Sequence, residues 1–138
     1  MFRPWLALFA ACALSACASS QTPVPANVSL GGSVQLPSPR PALNAAPPQI
    51  LAMNFSGDDV HRGQTWSGTI VTSTNVASVE VRTNLFSINA PRRAFGDFAF
   101  AMRVYDVPPI FIRGYRVRVI ARNSAGQSVE EDVPFRIR

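Results

Sequence analysis

From Gln49 to Arg138, apolar side chains recur at every second position, and turn-forming residues interrupt them every 8 to 14 residues. A period of two sets alternate side chains on opposite faces of an extended strand, and no stretch carries the 3.6-residue period of an amphipathic helix. The pattern predicts an all-β fold of seven short strands, packed as an antiparallel β-sandwich. The strands are expected at about residues 50–55, 65–72, 77–83, 85–88, 97–105, 115–122 and 129–137. The inward set is read as Leu51, Met53 and Phe55; Trp66, Gly68 and Ile70; Val79 and Val81; Phe98, Phe100, Met102 and Val104; Tyr115, Val117, Val119 and Ala121; and Val129, Val133, Phe135 and Ile137. Glu131 shares the parity of the last group, which predicts a bulge or an edge position there. Pro108 and Pro109 close the fifth strand, because proline cannot donate to a central ladder. A domain of about 90 residues buries roughly 60–65% of its unfolded surface, and side chains of this size fill such a core without a staple.

The N-terminus reads as an address. Met1-Phe2-Arg3-Pro4 carries one positive charge, and the apolar run Trp5 to Leu14 follows. That run is too short for a hydrocarbon core that needs ~20 residues, but it suits the apolar region of a secretion signal. It ends in Leu14-Ser15-Ala16-Cys17, which matches the bacterial lipobox: an aliphatic residue, two small residues and a cysteine whose sulfur takes diacylglycerol. Residues 1–16 are therefore expected to be a lipoprotein signal peptide, with Cys17 as the lipid attachment point and the membrane as a partner. Ala18, in place of aspartate, directs the expectation to the outer rather than the inner membrane of the bacterial envelope.

Residues 17–48 read as a lipidated linker. They hold seven of the twelve prolines, one charge (Arg40) and no aromatic residue. Such a composition buries too little apolar surface to offset its ordering entropy, so a disordered tether is expected. Within it, Val28-Ser29-Leu30 and Val34-Gln35-Leu36 alternate around Gly31-Gly32, as a loose hairpin or an added edge strand would. Residues 49–138 form the folded domain.

Two stretches of that domain carry a family resemblance. Gly114-Tyr115-Arg116-Val117-Arg118-Val119-Ile120-Ala121-Arg122-Asn123-Ser124-Ala125-Gly126 resembles the F strand of immunoglobulin-like and fibronectin type III modules, whose pattern runs Y-x-V-x-V-x-A-x-N-x-x-G. Gly63-Gln64-Thr65-Trp66, with Val76 to Arg82, is similar to the B and C strands of bacterial immunoglobulin-like domains. The chain departs from antibody domains in lacking the Cys–Cys pair and the tryptophan on strand C; Trp66 is expected to fill that volume. The resemblance implies an immunoglobulin-like sandwich and leaves function open.

Chemistry has few residues to draw on. All 13 basic residues are arginine, the formal charge is +5, His61 is the one histidine, and Cys12 and Cys17 are the only cysteines. The folded part thus has no disulfide and no thiolate metal site, and no cofactor is expected. Asp58, Asp59 and His61 share the loop 56–63 and are weak metal candidates, with Asp97 or Asp106 as helpers; no D-x-D-x-D calcium spacing is present. A nucleophile with its base and orienting group is not legible, so no enzyme is expected. The remaining feature is basic. Arg116, Arg118 and Arg122 share one parity, and Glu130, Asp132, Arg136 and Arg138 share the matching one. A hairpin through Gly126 is expected to set Arg122 near Glu130 and Arg116 near Arg136. That leaves Arg116, Arg118, Arg136 and Arg138 as a basic surface for a protein or an anionic glycan or lipid. Nucleic acid is disfavoured, because no exposed aromatic row is present to stack bases. The expected function is a lipid-anchored, non-enzymatic module of the cell envelope. The alternative is an accessory or metal-dependent hydrolase domain using the loop 56–63.

Overall fold

The computed structural model describes residue 25 and residues 27–138; the expected signal segment and Cys17 lie outside the described residues. Ten strands form two five-stranded sheets. In chain order they are β1 (Val28–Leu30), β2 (Ile50–Phe55), β3 (Asp59–Val60), β4 (Thr65–Thr72), β5 (Val76–Arg82), β6 (Ser87–Ala90), β7 (Arg92–Ala94), β8 (Asp97–Arg103), β9 (Gly114–Asn123) and β10 (Ser128–Ile137). The first sheet runs β1-β2-β4-β8-β7 and the second β3-β10-β9-β5-β6. All seven expected strands are present, with ends moved by up to two residues. Three short strands are additional: β1, β3 and β7. Nor is the sandwich wholly antiparallel, since β1 pairs with β2 and β3 with β10 in parallel. Three residues or fewer give too little period-two pattern to read from sequence.

The core lies between the sheets, as the alternation requires. Met53, Phe55, Trp66, Ile70, Phe98, Val117, Val119, Val133 and Phe135 are almost wholly buried. Trp66 stands at its centre. Its ring lies 4.5 Å from that of Phe135, 4.9 Å from Phe100 and 5.4 Å from Phe55, and its indole N–H donates to the Gly57 carbonyl at 3.0 Å. Gly68 makes room for this cluster: a Cβ there would fall 2.6 Å from Phe55 and 2.8 Å from Phe100. One inward assignment is corrected, and the bulge-or-edge expectation for Glu131 resolves to an edge. A register shift between Ile50 and Ala52 leaves Leu51 only half-buried. Glu131 sits in an unbulged ladder opposite Val119, at an edge, because β3 reaches only Arg136 and Ile137 of β10.

The expected disordered tether is also corrected, for residues 27–48. Of the two readings of its Gly-Gly stretch, the added edge strand holds: β1 lies beside β2, with Val28 opposite Met53. The chain then returns from Gly32 to Arg40, which bridges to Ser73 at the far end of β4. This path lies along the outside of the first sheet, where the outward-facing pair Ala52 and Val71 is buried. Gly96, at φ +76°, admits Pro39; a Cβ there would sit 2.6 Å from the proline ring. Further on, Asn75 Nδ2 donates to the carbonyls of Leu43 (3.0 Å) and Ala46 (2.6 Å), and Asn123 Nδ2 donates to Ala46 (3.0 Å). Backbone that finds partners on a neighbouring surface stays ordered despite a composition that forms no core.

Candidate functional site

The outer face of the second sheet carries the arginines, and the β9–β10 register decides their company. Arg118 stands opposite Asp132, Arg116 opposite Pro134 and Arg122 opposite Ser128. The hairpin is thus offset by two residues from the register expected through Gly126, because its turn is shorter. Parity survives such a shift, but neighbours do not. Arg118 Nε donates to Asp132 at 3.0 Å and its head group reaches Glu130 at 3.4 Å, while Arg116 lies 3.6 Å from the same Asp132. Asp132 and Glu130 beside Arg118 raise its already high pKa, the Asp132 hydrogen bond first. Arg136 and Arg138 turn elsewhere, to Asp59 on β3, at 4.0 and 2.8 Å. The four arginines expected as one basic surface are therefore split into two groups, each holding an aspartate.

Two arginines join the first group from outside the hairpin. Arg82, at the end of β5, stands opposite Arg118. Arg113 precedes β9 with its guanidinium 5.3 Å from the Tyr115 ring. A shallow cleft between them is lined by Arg82, Asn84 and Arg116, with Arg113 and Tyr115 continuing it. Sequence reasoning misses Arg82 because β5 pairs with β9 across about 40 residues of chain, and Arg113 because it lies in the loop before β9, outside the period-two pattern. Across the face, four arginines (Arg82, Arg116, Arg118 and Arg122) pair with three carboxylates (Glu80, Glu130 and Asp132), and Arg113 stands beside them on the Tyr115 ring.

Glu80 anchors the opposite side of this lattice. Its side chain is nine-tenths buried. Ser87 Oγ donates to it at 2.6 Å, Arg122 Nη1 at 2.9 Å and Arg82 Nε at 2.8 Å. These donors, Ser87 first, hold its carboxyl at about 2, against the opposing effect of burial.

The weak metal candidates do not converge. Asp59 is committed to Arg138, Asp58 accepts from the backbone N–H of Arg136, and the His61 backbone N–H donates to Gln64. Among the described residues, no three His, Cys, Asp or Glu side chains form a group suited to a metal ion. A depression of about 640 Å³ lies instead outside the first sheet, over Asn54, Ser67, Thr69 and Ala99.

The end of the sandwich beyond Arg103 differs from the rest. Between β8 and β9 the chain makes a 3-10 turn, Pro109–Phe111, and the Tyr115 hydroxyl donates back to the Phe111 carbonyl at 2.7 Å. A tyrosine at the start of this strand, bonded to backbone a few residues upstream, is a feature of immunoglobulin-type sandwiches. The loop exposes Tyr105 (74%), Ile110 (75%) and Ile112 (39%).

The strand order defines the class: β2-β4-β8-β7 faces β10-β9-β5-β6, with the chain switching sheets at Pro91, as in immunoglobulin-like sandwiches. Among solved structures the chain is similar to the fibronectin(III)-like modules of Clostridium thermocellum CbhA, at 17% identity over 62% of this chain and 93% of that one, with a TM-score of 0.43. No family model matches the chain, and no curated protein matches it.

Proposed function

We propose that this chain is a non-catalytic binding module of the bacterial cell envelope, lipid-anchored at Cys17, that presents its sandwich to an anionic partner. The observation that carries this reading is the positive surplus on the outer face of the second sheet. Two arginines share Asp132, while Arg113 rests on an aromatic ring, so guanidinium donors outnumber the carboxylates that face them. Planar guanidinium forks suit carboxylate or phosphate groups. Arg82, Arg113, Arg116 and Arg118 form the docking surface in this reading, and Arg136 and Arg138 serve instead to fasten β3 to β10. The lipobox supports the envelope location, and a closed sandwich on an anchor suits presentation rather than turnover.

Retention of the full chain on an immobilised acidic polysaccharide across a salt gradient tests the docking surface. Arg113→Gln with Arg116→Gln should elute at clearly lower salt than Arg92→Gln with Arg93→Gln, which removes equal charge from β7. Equal elution of the two folded variants would leave only net charge and remove the site.

A further inference from the structure

The loop between β8 and β9 has a second property that anion docking does not use. Seven large apolar side chains are well exposed among the described residues, and four of them gather at one end of the sandwich: Tyr105, Ile110 and Ile112 on this loop, and Leu85 on the β5–β6 turn. Ile110 and Tyr105 are each three-quarters exposed at the tip. They project outward, and the clefts at this end of the second sheet are lined largely by polar and charged side chains, among them Arg82, Asn84, Arg113 and Arg116.

The 3-10 turn at this tip bonds in part to itself. Pro108 and Pro109 have no N–H, the Phe111 N–H donates to Pro108 at 2.9 Å, and the Ile112 N–H donates to Pro109 at 3.0 Å. These two bonds and the two prolines leave the 3-10 turn with fewer donors to hydrate than an open turn has. Arginines ring it. Arg103 and Arg113 flank the loop in sequence, and Arg62 joins them at this end, where its N–H donates to the Arg138 carbonyl. These three form no ion pair with a carboxylate among the described residues, while Asp106 supplies one opposing charge.

From this geometry we infer that the tip formed by Tyr105, Ile110 and Ile112 inserts into the interface of an anionic lipid bilayer, with Arg62, Arg103 and Arg113 at the phosphate level. A bilayer accepts protruding side chains without a matched cavity. Tyrosine and arginine suit its polar boundary, and the surplus charge favours anionic headgroups. The inference is independent of lipidation at Cys17. Pro25 enters beside the start of β2, at the opposite end from this tip, so a lipid at Cys17 and the tip would grip a surface separately.

The test uses the full chain with Cys12→Ser and Cys17→Ser, carrying an environment-sensitive dye on Tyr105→Cys or, as a control at the far end, on Ala125→Cys. Vesicles containing phosphatidylglycerol should shift the emission at position 105 to the blue, and a nitroxide lipid should quench it there and not at position 125. Adding Ile110→Ser and Ile112→Ser should weaken the response at least about tenfold, since two exposed isoleucines account for most of the inserted apolar area. An unchanged circular dichroism spectrum and thermal midpoint would establish that this variant is folded. An equal response at both positions, or one that survives the double substitution, overturns the inference. So does a response to soluble polyglutamate without one to vesicles, which would make the tip a protein-docking surface.

Discussion

Glu80 is the residue whose chemistry the fold has changed most. Its carboxylate is buried among Ser87, Arg82 and Arg122, and its pKa is held at about 2 instead of 4.5. A carboxyl that titrates lower in the folded than in the unfolded chain stabilises the fold above the unfolded value. The contribution is lost as pH falls from about 4.5 toward 2. Glu80→Gln should therefore cost about 1–3 kcal/mol near neutral pH and almost nothing in strong acid. Urea midpoints of both proteins across that range check this, and a pH-independent gap would contradict it. In the core, Trp66→Ala should cost roughly 3–5 kcal/mol by leaving a cavity bounded by four phenylalanine rings. Gly68→Ala should cost about 1–3 kcal/mol for the opposite reason, since its Cβ would strike Phe55 and Phe100. Thermal unfolding of each variant measures both.

At the scale of elements, the segment 27–48 is the part whose role changed most between sequence and structure. It donates β1 to one sheet edge, crosses the outer face of that sheet, and is fastened at one end by Asn75 from the β4–β5 turn and Asn123 from the end of β9. Asn75→Ala with Asn123→Ala should release residues 43–46 without unfolding the sandwich. Hydrogen exchange at the Ala42 and Thr74 amides, which bond to Thr74 Oγ1 and the Arg40 carbonyl, should quicken. A chain beginning at residue 49 should be less stable than one beginning at residue 27 by at least about 2 kcal/mol, counting about 1 kcal/mol for each hydrogen bond lost. Equal urea midpoints would mean that the segment rests on the domain without holding it.

For the whole molecule, the prediction concerns attachment. Cys17→Ser should abolish incorporation of a tagged fatty acid and move the protein out of the membrane fraction, or leave it as an unprocessed precursor. Label retained by that variant would end the lipoprotein reading. The sandwich itself is held by pairings between strands distant in sequence, β5 with β9 and β4 with β8, so it should fold in milliseconds to seconds rather than microseconds.

The sequence by itself determined the alternation, and the alternation determined the sheet faces. Each expected strand formed, and Trp66, Ile70, Val117 and Phe135 entered the core, because a strand with one apolar face can bury it in only one way. Parity also put the arginines of β9 on the outside. Tertiary structure alone decided which charges meet. A two-residue offset in one hairpin brought Asp132 between Arg116 and Arg118, and pairing across distant strands brought Arg82 and Glu80 to the same face. It also ordered a proline-rich segment that has no core of its own, through asparagines whose place in a turn and at a strand end gives no sign of what they hold. Burial is a property of each residue's own pattern and can be read locally. Register and docking depend on a partner elsewhere in the chain, which the pattern of one strand does not specify.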